Sequence, residues 1–440
     1  MSQQQPKKTT FPVLTSAELI EILGSTIKHD NDNKLVAFLC QLSAYTESSQ
    51  LNLSFNAPSS SGKSFIPIEI ARYFPEEDVL ELGYVSPTSF FHNTSEFNKE
   101  TQEYLVDLSR KIIIFLDQPH TMLLEHLRPL LSHDKKEIRV QITDKQQKQG
   151  LRAKKIILRG YPAVIFCSAG LRLDEQEATR FLLLSPEISQ EKIRGGILES
   201  LKKTADSVAY ESHTELNRPR QELKSRIVAI KNERIQDIRI VPEDVQYITD
   251  KFFGSVKILK PRHQRDIKRL VSLIKAFTLL NLWGRQREDA NIVAERADID
   301  EAFAVWEKIA LTQELNLPPY VYRLYEDVIL AAFNEKNAGR NQDLVDMTGP
   351  LGLTRQELLS KHYEIYGRML DSIVLRQQIL PMLNQSGLIT EERDPNDKRN
   401  KLIFPQSPTE YSEPVGGVSP DDQAALEIVQ EIFGGGEFVE

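Results

Sequence analysis

Only two cysteines, Cys40 and Cys167, occur in the 440 residues, and they stand far apart. Two distant thiols make neither a disulfide framework nor a metal cluster, and they fit a reducing cytoplasm. No apolar run reaches the length needed to cross a membrane. The opening MSQQQPKKTTFP lacks the apolar stretch of a secretory signal, so the expectation is a cytoplasmic protein with no membrane partner. A basic excess is missing too: 55 Lys and Arg against 63 Asp and Glu give a net charge of −8. General basicity therefore offers no route to nucleic acid, and any such contact must be a local patch. The remainder is ordinary for a globular chain of two to four domains, with 40% hydrophobic and 27% charged residues.

Against this background one short stretch stands out, FNAPSSSGKSF at 55–65. A phosphate-binding loop has Gly, four variable residues, then Gly-Lys and Ser or Thr. Here Ala57 takes the first Gly position, followed by Pro58, Ser59, Ser60, Ser61, Gly62, Lys63 and Ser64. Such a loop turns backbone N–H groups toward phosphates, sets the lysine on the β/γ oxygens and offers the hydroxyl to Mg²⁺. Ala57 removes backbone freedom but no ligand. LNLSFN before the loop reads as a strand and SFIPIEIARYF after it as a helix with Pro67 in its first turn. That is the strand–loop–helix order the chemistry requires. Two helices are expected over 15–47, the first opened by a capping pattern of Ser16 and Glu18.

The next apolar run, Ile112–Leu116, has the uninterrupted pattern of a strand buried on both faces of a parallel sheet. Asp117 at its C-terminal end stands where a carboxylate could hold Mg²⁺; the plainer alternative is a solvated strand end. Gln118 follows, which can orient a water but cannot take its proton. YPAVIFCSAG (161–170) is a further buried strand ending in Ser168, a candidate γ-phosphate sensor. Arg180 precedes another apolar strand; it reads either as a helix-capping surface residue or as a finger for a neighbouring subunit's ATP. Between the strands lies an alternating segment, 137–160, expected to be a β-hairpin. Its tip carries Lys145, Lys148, Arg152 and Lys154, a basic cluster suited to a phosphate backbone, or else a solvated turn.

Phosphate loop at 57–64, acid at Asp117, basic hairpin, Ser168 and Arg180, in that order, resemble AAA+ ATPases of the pre-sensor-1 hairpin class. That class includes the minichromosome maintenance and superfamily 3 helicases. RDIKRLVSLIKAFTLLN (265–281) is similar to the lid helix of the minichromosome maintenance proteins, with Arg265 as its lid arginine. ADIDEAFAVWEKI (297–309) resembles the helix that closes that lid. Ala57, Gln118 and Ser168 depart from the commoner Gly, Glu and Asn. The resemblance covers roughly 50–310. About fifty residues precede the loop, too few for a DNA-collar domain. It implies a compact mobile-element or phage-type helicase that binds ATP and Mg²⁺, forms a ring, in all expectation a hexamer, and takes DNA in its channel.

Residues 316–405 read as three helices and a hairpin, the order of a winged helix. The wing carries Arg393, Lys398, Arg399 and Lys401; a protein–protein module is the alternative, because the third helix is apolar and holds Pro381. The acidic, Pro/Ser/Gly-rich 406–440 reads as a disordered tail with one amphipathic stripe for a replication partner. The expected fold class is an α/β P-loop AAA+ core, a parallel sheet with helices on both faces, plus a helical lid and a winged helix. The expected division is 1–48 helical segment, 49–190 core, 191–315 lid, 316–405 winged helix and 406–440 tail. A rival to the translocating motor is an ATP-controlled DNA-binding switch or loader.

Overall fold

The computed structural model describes residues 10–83, 96–98, 103–144, 152–169, 180–256, 258–338, 350–395 and 399–406. Its centre is a five-stranded sheet ordered β2-β5-β8-β1-β9. The strands are β1 (Asn52–Asn56), β2 (Val79–Leu82), β5 (Ile112–Phe115), β8 (Ala163–Ser168) and β9 (Leu182–Leu184). Every pairing in it is parallel. Apolar runs such as Ile112–Phe115 and Val164–Phe166 are buried on both faces, which is what a parallel strand beneath two layers of helix requires.

On one face lie the helices Ser16–Leu23, Asn31–Ser43 and Phe65–Ala71, with the later helices Arg218–Glu233, His263–Leu280 and Arg296–Glu314 continuing the same apolar core. The first helix is capped by Thr15 rather than Ser16: Glu18 accepts from the Thr15 backbone N–H at 2.9 Å while Thr15 Oγ1 accepts from Glu18 N. On the other face, helix Thr121–Leu131 shares a second core with Val106, Ile156 and Leu158. Those residues belong to a second sheet, ordered β3-β4-β7-β6. Its strands are β3 (Glu96–Asn98), β4 (Glu103–Asp107), β6 (Glu137–Asp144) and β7 (Arg152–Arg159).

The expected hairpin is present as the antiparallel pair β6 and β7, but β7 is also paired in parallel with β4. Nothing in the sequence reading anticipated β3 or β4. Their pattern is weak, because β4 is largely half-buried: Val106 and Leu108 reach the core while Asp107 faces out.

A third apolar cluster runs from Leu317 to Ile403. Helix Pro319–Leu324 passes through a π-helical turn, Tyr325–Leu330, into Ala331–Asn337. Helix Arg355–Tyr366 follows, then Ser372–Val374, a second π turn over Leu375–Ile379, and Leu380–Gln385. The second π turn ends just before Pro381, whose ring cannot sit against an ordinary helical carbonyl. An antiparallel pair, β10 (Ile389–Arg393) and β11 (Lys401–Pro405), closes the unit. A single bridge joins Leu353 to Ile403 beside it. Among the described residues no helix is long and apolar enough to cross a membrane, and both cysteines are free and buried.

Candidate nucleotide site

The C-terminal edge of the central sheet brings the predicted residues together. In the register of β1 and β8, Asn56 lies beside Ser168. Phe115 of β5 lies beside Phe166, so Asp117, two residues further on, ends level with Ser168. The three strand ends therefore present the start of the loop, Ser168 and the acid in one row. Ala57 N donates to Ser168 O at 3.3 Å, tying the loop's first residue to that row.

Within the loop, Gly62 has φ +88° and Ser60 φ +63°. The first is a conformation that favours glycine, so Gly62 is fixed by backbone need. Ala57 is fully buried and does not have a positive φ, so the missing first glycine leaves no strain. Ser61 Oγ is buried without a hydrogen-bond partner. The Ser64 side chain makes no capping bond to the helix it precedes. A turn that reverses the chain at Gly62, with uncommitted hydroxyls on either side, fits a phosphate ligand and its Mg²⁺.

Lys63 is half-buried. Burial pushes the Cys167 thiol up to about 12, and the nearby Lys63 charge works against that rise. The lysine's charge is thus felt at the end of β8. Asp117 and Gln118 are exposed. Asp117 Oδ1 accepts from Gln118 N at 2.8 Å, and Ser168 Oγ donates to Gln118 Oε1 at 3.3 Å. Ser168 therefore orients the Gln118 amide.

Two residues that the sequence did not single out brace the loop. Asp30 is fully buried in a left-handed conformation, φ 52°, and accepts from Glu187 N at 2.7 Å and Asn33 Nδ2 at 2.8 Å. It is ion-paired with Lys192 of the helix Gln190–Ala205. Lys192 Nζ also donates to Ser61 O at 3.1 Å and Glu187 O at 3.0 Å. A lone Asp in a helix connection and a lone Lys in a polar helix carry no local signal. Arg220, 0% exposed, stacks on Tyr73 at 4.4 Å and lies 3.4 Å from Glu69. It joins the helix after the loop to Arg218–Glu233.

A cavity of about 600 Å³ opens beside the loop. Pro58 to Gly62 form one wall, Ile27, Phe65, Ile193 and Ile197 give it an apolar side, and Tyr320, His362, Tyr366 and Arg368 close it from the C-terminal unit.

The other predicted residues lie elsewhere. Arg180 precedes β9, at the sheet edge opposite the loop, where its Nε donates to Ser132 Oγ at 2.8 Å. Arg265 is exposed on His263–Leu280 and does not line the cavity. The same helix instead buries Arg269, which donates to Asp266 at 2.7 Å and to Phe181 O at 3.2 Å. Lys145 and Lys148 lie outside the described residues. The backbones of Arg152 and Lys154 form the start of β7. Arg393, Arg399 and Lys401 are exposed around the β10–β11 turn; Lys398 is outside the described residues, as are 1–9 and 407–440. Lys401 is paired with Glu391 at 2.6 Å, which offsets part of the positive charge around this turn.

Residues 9–219 match the family described as the MTBMA_p00010 P-loop domain. No curated protein matches the chain. Among solved structures, a candidate ATPase from Cytophaga hutchinsonii is similar at 14% identity, with 66% of this chain and 84% of that one covered and a TM-score of 0.36. A full-length MCM homologue from Methanopyrus kandleri is similar at 12% identity and TM-score 0.42, over 70% of this chain and 64% of that one. Both scores are low, and these two likenesses identify no shared function. The parallel sheet, the loop at its edge and the family match agree on an α/β P-loop core.

Proposed function

We propose that this protein is an oligomeric ATPase that moves along or remodels DNA. The observation that carries the reading is the row of Asn56, Ser168 and Asp117 at the sheet edge, around a loop that reverses at Gly62. Lys63 would bind the phosphates, and Ser64 and Asp117 would hold Mg²⁺. The ion would add positive charge where the phosphate oxygens gather. Gln118, oriented by Ser168, would position the attacking water. A carboxamide accepts no proton, so slow turnover is expected at this site.

The ring rests on two supports. Arg180 sits at the sheet edge away from its own loop, which supports the reading that it serves another copy's site. The helices Gln190–Ala205 and Ser207–Glu215 bury no residue and expose Ile197, Leu198, Leu201 and Val208. We read this apolar face, continuous with the cavity at Ile193 and Ile197, as covered by a second copy. Residues 316–405 are read as a winged helix, three helices and a hairpin, that binds DNA through its wing. The hairpin tip at 145–154 is read as the channel contact, and the tail as a partner segment.

The second reading, an ATP-timed DNA-binding switch, is favoured by Gln118. Steady-state ATP turnover with and without single-stranded DNA, run beside strand displacement, separates the two. The motor predicts DNA-stimulated turnover and displacement, both lost in Lys63→Ala with the fold retained. A Lys63→Ala protein that binds ATP like the wild type removes the nucleotide site from the account.

A further inference from the structure

The geometry points to the C-terminal unit as the second wall of the nucleotide site, with Tyr320 and Arg368 reading its occupancy. The inference rests on the nucleotide-site reading and extends it to regulation. Three observations carry it.

First, the cavity that begins at Pro58–Gly62 is closed by Tyr320, His362, Tyr366 and Arg368. A nucleotide whose phosphates sat on the loop could extend its nucleoside into that space. Second, Tyr320 is 2% exposed, lines the cavity, and its hydroxyl interacts with the Arg368 side chain, which lines the same cavity. A ligand oxygen or nitrogen in the cavity would find the hydroxyl and the guanidinium side by side. The Arg368 charge is near enough to act on the same hydroxyl, which favours an anionic or oxygen-rich ligand.

Third, Arg368 is held in place. Helix Arg355–Tyr366 ends at Gly367, whose φ of 66° is left-handed, and His362 Nδ1 lies 3.0 Å from Arg368 O. A carbonyl can only accept, so Nδ1 carries the proton and anchors the turn.

The unit is also wired to the loop from below. Arg323 donates to Ser185 O and to Pro186 O, the latter at 2.6 Å. Tyr320 N donates to Ser185 Oγ at 3.0 Å, and Ser185 Oγ donates to Asn56 O at 2.6 Å. Asn56 is the last residue before the loop. Loop and C-terminal unit thus share one set of contacts, so a nucleotide held on the loop would favour the docked unit, and displacing the unit would lower nucleotide affinity.

The test measures ADP and ATP binding by the full chain and its Arg368→Ala, Tyr320→Phe and Lys63→Ala variants, with amide hydrogen exchange over 355–368. Expected are about tenfold weaker binding in Arg368→Ala and about threefold in Tyr320→Phe, the scale of a lost charged or neutral hydrogen bond. ADP should also slow exchange over 355–368 in the wild type. Tyr320→Phe removes one oxygen and keeps the packing, so it remains informative if Arg368→Ala folds poorly. If Lys63→Ala abolishes binding while both other variants stay within twofold and 355–368 gains no protection, the C-terminal wall is wrong and the loop stands. If Lys63→Ala binds normally, the loop reading fails and this inference with it.

Discussion

At the residue scale the protein commits few side chains to the edge of its sheet and braces them with buried polar ones. The Lys63 carbonyl accepts from Cys167 Sγ at 3.5 Å, and the Gln118 amide is held by Ser168 Oγ at 3.3 Å. The loop's outer side is held by the Asp30–Lys192 pair, one member fully buried. Away from the site, His133 gives a test of how tightly the core is closed. Burial lowers its imidazole from the ordinary 6.5 to about 4, with Gln50 Oε1 3.2 Å from Nε2 and Tyr161 edge-on at 4.7 Å. The unfolded chain takes up a proton near pH 6.5 and the folded chain does so only near 4. Below pH 6.5 the unfolded state therefore binds more protons, and stability falls as pH drops through that window. The loss should reach about 3 kcal/mol. Denaturant melts of wild type and His133→Gln across pH 7 to 4 should show the wild type losing that much relative to the variant; parallel curves would mean the ring is open to water.

At the scale of elements, legibility follows the strength of local pattern. The strands at 112–115 and 163–168 were readable because parallel strands under helices are largely apolar, and the one at 52–56, which alternates Leu53 and Phe55 with polar residues, from its place directly before the loop. The helix at 263–280 was readable from its 3.6-residue stripe. The hairpin β6–β7 was readable from alternation, but its partners β3 and β4 were not, since strands of three and five residues, the longer one largely half-buried, leave little pattern. The cavity was not readable either. It is assembled from residues near 27, 60, 193 and 366, and no sequence spacing links them. The basic tip of β6–β7 and the wing are the two candidate DNA elements, and they can be told apart. Lys148→Ala with Arg152→Ala should weaken single-stranded DNA binding and lower its logarithmic salt slope by about 1.4 if both cations meet phosphates. Basal ATP turnover should persist. Lys398→Ala with Arg399→Ala is the comparison; a salt slope that responds to the wing alone assigns DNA to the C-terminal unit and favours the switch.

At the scale of the whole molecule, the site faces outward in two directions. The loop and cavity lie at the C-terminal edge of the sheet beside an apolar helical face, while Arg180 lies at the opposite edge. Under the proposed reading, a chain built this way would complete its chemistry only in company, the arginine of one copy serving the phosphates of another. This is the central claim, and subunit mixing tests it most directly. Lys63→Ala and Arg180→Ala proteins should each be nearly inactive in ATP turnover, with Arg180→Ala still binding nucleotide. Mixed in varying proportion, they should recover activity, because some interfaces then pair an intact loop with an intact arginine. Absence of recovery at every ratio, with both variants folded and associating, would contradict it.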